Sequence, residues 1–125
     1  MRDETLRIQA HHDVACDQLT LQLTGPLLCQ NLFDFQQTVR ACGARILIID
    51  MTHVPFIDSA GVGALVGAYV SFQKPGHHLA LVGVNDRVHS LFTMTQVDRF
   101  FRTYPTVPEA QSAISQSATT AARTA

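Results

Sequence analysis

Between Arg45 and Lys74 the chain reads Arg45-Ile-Leu-Ile-Ile-Asp-Met-Thr-His-Val-Pro-Phe-Ile-Asp-Ser-Ala-Gly-Val-Gly-Ala-Leu-Val-Gly-Ala-Tyr-Val-Ser-Phe-Gln-Lys74. Ile46 to Ile49 are consecutive large aliphatic residues. Such a run needs burial on both faces, as in the central strand of a sheet covered on both sides. The strand ends near Met51, a short loop follows, and a helix opens near Asp58-Ser59. A strand feeding a helix through a short loop is the building unit of an α/β domain.

The helix is unusual. On a wheel of about 100° per residue, Val62, Leu65, Val66, Tyr69, Val70 and Phe72 share one arc. Ala60, Gly61, Gly63, Ala64, Gly67, Ala68 and Ser71 fill the other, and no charge stands between Ser59 and Gln73. Each glycine costs a helix ~1 kcal/mol relative to alanine. Either this small face packs against another element of the same chain, or another protein's backbone lies along it; the pattern leaves both readings open. Asp58-Ser59 also reads two ways. Either side chain can cap the first turn. Alternatively Ser59 carries a phosphate, which the free N–H groups and positive dipole end of a helix N-terminus tolerate. A phosphate would bring about −1.5 to −2 charges to an uncharged surface.

Working outward, Gln18 to Leu23 alternates, with Leu19, Leu21 and Leu23 on one face and Gln18, Thr20 and Gln22 on the other. That suits a strand with one wet side. Leu6 to Ala10 alternates more weakly, and the few residues between the two runs favour an antiparallel pair. Gly25-Pro26 breaks the pattern. Asn31 to Ala41 is expected to be a helix with Leu32, Phe35 and Val39 inward and Gly43 as its stop. Leu79 to Val84 is a second buried strand; Asn85 or Asp86 caps a helix carrying Val88, Leu91 and Phe92. Arg99 to Thr103 is a short last strand, and Pro108 opens a final helix with Ala110, Ala113 and Ile114 inward. The expected fold is α/β: a mixed central sheet of four to five strands with about four helices.

The chain has 125 residues, enough for one domain. Residues 1–114 are expected to form it, with 115–125, rich in Ser, Thr and Ala, as a flexible C-terminal tail. With 9 Lys+Arg against 10 Asp+Glu, the chain lacks the basic excess that drives phosphate-backbone binding, so no direct nucleic-acid partner is expected. The longest uncharged apolar run, Ala60 to Val70, falls short of the ~18–20 residues of a membrane span, and the polar N-terminus has no signal-peptide core. Cys16, Cys29 and Cys42 lack CxxC spacing and read as reduced, buried residues of a cytoplasmic protein. Histidines 11, 12, 53, 77, 78 and 89 contain no i, i+4 pair and read as solvated loop residues, so no metal is expected. Gly61-x-Gly63-x-x-x-Gly67 has the wrong spacing and position for a dinucleotide fingerprint, and no cofactor is expected. Ser59 lacks the G-x-S-x-G elbow of a hydrolase, so no enzyme is expected either.

Val54-Pro55-Phe56-Ile57-Asp58-Ser59-Ala60-Gly61-Val62-Gly63-Ala64-Leu65 after a hydrophobic strand resembles the signature of STAS domains, specifically the bacterial anti-sigma factor antagonists. Leu21-Gln-Leu-Thr-Gly25 resembles the family strand that ends in glycine before the first helix. Leu79 to Phe92 resembles its later strand and helix. The likeness runs in order over about residues 5 to 114. It implies a module without catalytic machinery, in which Ser59 is phosphorylated by a partner serine kinase that is also an anti-sigma factor. The unphosphorylated form would bind that kinase and free a sigma factor, and a serine phosphatase would reset the switch. The implied partner surface comprises Asp58, Ala60, Gly61, Gly63, Ala64 and Gly67 with Pro26, Leu28 and Gln30 of the preceding loop. Leu28 stands where the family usually has an acidic residue, and Thr95-Gln-Val97 replaces a Ser-Gly-Leu. Which sigma factor, kinase and upstream signal are involved, and whether a weak homodimer forms, stay open. Two other STAS roles compete: a scaffold of a signalling assembly, which would self-associate, and a cytoplasmic subunit of a lipid-transport complex, which would copurify with an ATPase.

Overall fold

The computed structural model describes residues 5–124, with side chains described for residues 5–116. The strands β1 (Arg7–Asp13), β2 (Gln18–Thr24), β3 (Ile46–His53), β4 (His78–Val82) and β5 (Thr103–Tyr104) form one sheet in the order β1-β2-β3-β4-β5. β1 and β2 pair antiparallel across a tight turn; the other pairs are parallel. The mixed sheet is thus the one expected, and β3 is its centre.

Four helices flank it: α1 (Leu32–Arg40), α2 (Ser59–Ser71), α3 (Asp86–Met94) and α4 (Val107–Thr124). The period-two alternation of β3 divides the core. Leu47, Ile49 and Met51 join Leu21, Leu23, Phe35, Leu65 and Phe92 on the face covered by α1, α2 and α3. Ile48 joins Ala80, Val82, Ala110 and Ile114 on the face covered by α4. The four-aliphatic run is therefore buried on both sides for the reason its sequence gives.

Several boundaries differ from expectation. Gly43 is not the stop of α1: the helix ends at Arg40, the Ala41 N–H donates to the Gln37 carbonyl and the Cys42 N–H to the Val39 carbonyl, and the left-handed glycines are Gly25, Gly76 and Gly83. The last strand is only Thr103–Tyr104, because Asp98–Phe100 forms a 3-10 turn. Helicity continues through Thr124, past position 115 where a tail was expected; alanine is the strongest helix former and recurs through this segment. Cys16 and Cys29 are exposed and Cys42 is half-buried, all three free, so they are not buried fillers. Burial raises the Cys42 thiol pKa above its ordinary value. Four of the six histidines, His11, His12, His53 and His78, lie in strands and His89 lies in α3, rather than in loops.

Candidate functional site

The site is built where β2 and β3 end side by side. The Gly25 N–H donates to the His53 carbonyl at 3.0 Å. Gly25 then turns with φ +104°, a conformation that L side chains rarely adopt, and a Cβ there would strike the Thr5 backbone. The two exit loops continue together: the Leu27 N–H donates to the Phe56 carbonyl, the Asp58 N–H donates to the Leu27 carbonyl, and Leu27 bridges Ile57.

Asp58 fastens the junction. One carboxylate oxygen accepts from the Gly61 N–H at 2.9 Å, which is the expected N-cap of α2. The other accepts from the Cys29 N–H at 3.0 Å, tying the helix start to the loop from β2. Asn31 closes that loop from within: its Oδ1 accepts from the Leu28 N–H at 2.9 Å and its Nδ2 donates to the Pro26 carbonyl at 2.9 Å. On the other side Asn85 caps α3 and its amide donates to the Val54 and Pro55 carbonyls. Gly61 permits the closeness, because a Cβ there would lie 2.5 Å from the Leu27 carbonyl oxygen.

Ser59 sits beside this clasp, exposed on the first turn of α2. Among the described residues nothing hydrogen-bonds its hydroxyl or the N–H groups of Ser59 and Ala60. Gly63, Gly67 and Gln30 are exposed as well and Ala60 is half-buried. Pro26, Leu28, Gly61 and Ala64 are buried, so they shape this surface from beneath rather than offering their side chains to a partner. Leu28, in the position where an acid was absent, packs inward at 7% exposure.

The small helix face divides between two environments, and the own-chain reading holds for its buried part. Ala64 and Ala68 are buried beside Phe35 and Val39 of α1, whereas Gly63 and Gly67 look out. Between the helices runs a shallow groove of about 160 Å³ lined by Phe35, Gln36, Arg40, Gly63, Gly67 and Ser71. Sequence reading missed the α1 wall of this groove and the clasping roles of Asn31 and the Cys29 N–H. The first turn of α1 supplied no motif. Val70, placed on the large-residue arc, is 62% exposed, because it stands at the border of that arc beside exposed Ser59 and Gly63 on the helix wheel.

At the C-terminal ends of the parallel strands the fold thus gathers a strand end, a clasped loop and an exposed serine at a helix start, with no cluster of metal-ligating groups among the described residues. The STAS domain family matches residues 5–110, and the chain belongs to it. The anti-sigma-B factor antagonist of Listeria monocytogenes is 42% identical over 50 residues, covering 40% of this chain and 44% of that protein, so the chain spans less than half of that relative. The crystal structure of an anti-sigma factor antagonist from Mycobacterium paratuberculosis superposes with a TM-score of 0.80 at 18% identity, covering 90% of this chain and 97% of that one. SpoIIAA, an anti-sigma factor antagonist solved in its unphosphorylated form, gives 0.72 at 17% identity over 88% of this chain and 97% of its own. The phosphorylated Bacillus form gives 0.67 at 16% identity, over 86% and 99%. These structural likenesses establish the fold. Among the described residues no helix is long and apolar enough to cross a membrane.

Proposed function

We propose that this chain is an anti-sigma factor antagonist whose binding is switched at Ser59. Unphosphorylated, it docks a serine-kinase anti-sigma factor through Ser59, Ala60, Gly63, Gly67 and Gln30, and the sigma factor is released. The observation that carries the reading is the exposed, unengaged Ser59 hydroxyl at the edge of a surface held rigid by Asp58. The names of the matching relatives and the two forms of SpoIIAA support it.

In the switching step the Ser59 oxygen attacks the γ-phosphorus of ATP on the partner, ADP leaves, and the hydroxyl proton passes to a base on the partner. Asp58 is engaged with two backbone N–H groups, so its role is to hold the serine in place rather than to take that proton. A phosphate facing a partner carboxylate ~6 Å away, at an effective dielectric near 20, costs a few kcal/mol. That weakens binding by roughly 10²-fold or more. A phosphatase that hydrolyses phosphoserine restores the docking form.

The test passes tagged wild-type, Ser59→Ala and Ser59→Asp proteins through lysate of the source organism, identifies captured proteins, and locates phosphate by mass spectrometry. Wild type and Ser59→Ala should hold a small ATP-binding serine kinase, Ser59→Asp should lose it, and ATP should place phosphate on Ser59. Capture of a transporter ATPase, or of the chain itself, equally by all three forms would overturn the switch.

A further inference from the structure

A second cleft opens at the far end of α2, where β5 stops short. β5 pairs only with Leu81 and Val82, so the first half of β4, His78 to Ala80, has no strand on its outer side. The cleft there measures about 200 Å³. Its walls include the rings of Tyr69, Phe100 and Tyr104, and its polar groups include His77, His78 and Arg102; among the described residues no carboxylate lines it. From this arrangement we infer that the cleft binds a small organic anion, a carboxylate or phosphate monoester carried on a flat apolar body.

Three observations converge. The first is charge. Arg102 supplies a guanidinium at the cleft, burial and then the fields of Arg102 and His77 lower the His78 pKa, and among the described residues no carboxylate lines the cleft to balance the guanidinium. By contrast Arg45, elsewhere on the surface, has Asp17 at 3.6 Å. The second is the main chain. The N–H groups of Leu81 and Gly83 donate outward to the carbonyls of Arg102 and Tyr104, both at 2.9 Å. Amides of a strand alternate between its edges, so the Leu79 N–H faces the same edge at a point where β5 has not begun. An anion lodged there meets a main-chain donor, an imidazole and a guanidinium fork suited to two-oxygen groups. The third is shape. Tyr69 stacks on Phe100 with centroids 5.2 Å apart, so two aromatic rings form an apolar side of the cleft. The volume is below the ~300–1,000 Å³ of sites for drug-sized ligands, which limits the ligand to about one ring and its charged group.

This site is independent of the proposed switch. It lies at the C-terminal end of the 13-residue α2, roughly 20 Å along the helix from Ser59.

The test is a two-dimensional amide NMR titration of the full chain with benzoate, phenyl phosphate and inorganic phosphate. Saturable shifts are expected at Leu79, Phe100 and Tyr104, with one organic anion binding at least tenfold tighter than inorganic phosphate. Arg102→Gln should weaken that binding at least tenfold. Arg102 is exposed, so unchanged signals elsewhere will report that the fold survives. Ser59→Asp should bind like wild type, separating this site from the switch. No saturable shift at millimolar ligand, equal affinity for inorganic phosphate, or indifference to Arg102→Gln would each overturn the assignment.

Discussion

Gly61 and Gly63 are two residues apart on one helix and play opposite parts. A Cβ on Gly61 would lie 2.5 Å from the Leu27 carbonyl oxygen and 3.1 Å from the Ile57 Cβ; a Cβ on Gly63 would meet nothing within 4 Å. Gly61→Ala should therefore force the clasped loop away from α2 and destabilise by about 1–3 kcal/mol. Gly63→Ala only removes the helix penalty and should stabilise by roughly 0.5–1 kcal/mol. Thermal unfolding of the two variants should move in opposite directions by a few degrees; equal shifts would show that the loop is not pressed against the helix. The sequence displayed both glycines alike, because what separates them is a carbonyl 34 positions earlier in the chain. Asp58 as a cap was legible, being local. Its second bond, to the Cys29 N–H, was not, since it crosses 29 residues.

At the scale of the element, α2 divides its small face between α1 and the outside. Burial of Ala64 and Ala68 satisfies the own-chain reading; Gly63 and Gly67 are exposed along the groove, on the strip that the proposed partner would cover. Gly63→Glu should leave the fold intact, since the added side chain points into open space, and should lower partner capture by at least tenfold. Circular dichroism and the capture assay check the two halves of that statement, and wild-type-like capture would remove Gly63 from the docking face. Long periodic elements were readable in advance because burial imposes their spacing: β2, β3, β4, α2 and α3 all fall within a few residues of expectation. At the C-terminal side the bounds were less legible, although the opening of α4 and its buried Ala110 and Ile114 were expected. β5 is two residues fixed by its neighbour β4, and α4 continues through an Ala-rich stretch whose composition resembles a linker.

The molecule as a whole is unequally covered. Three helices shield one face of the sheet, and α4 alone shields Ile48, Ala80 and Val82 on the other. Ala110 and Ile114 are the last buried residues described. A chain ending at Thr106 should thus expose that face and lose its cooperative unfolding transition, whereas one ending at residue 116 should unfold within a few degrees of the full chain. A folded chain ending at Thr106 would show that α4 is dispensable. The strand order carries a further consequence. Every strand lies next to its predecessor in the chain, so the sheet grows from one side to the other with no insertion between strands already paired. On a ribosome, each strand that emerges finds its template in place: β3 meets a finished β1–β2 hairpin, and β4 meets β3. Assembly can then keep pace with synthesis, and the aliphatic run of β3, of the kind that aggregates when unpaired, has a partner strand on one edge as soon as it leaves the exit tunnel.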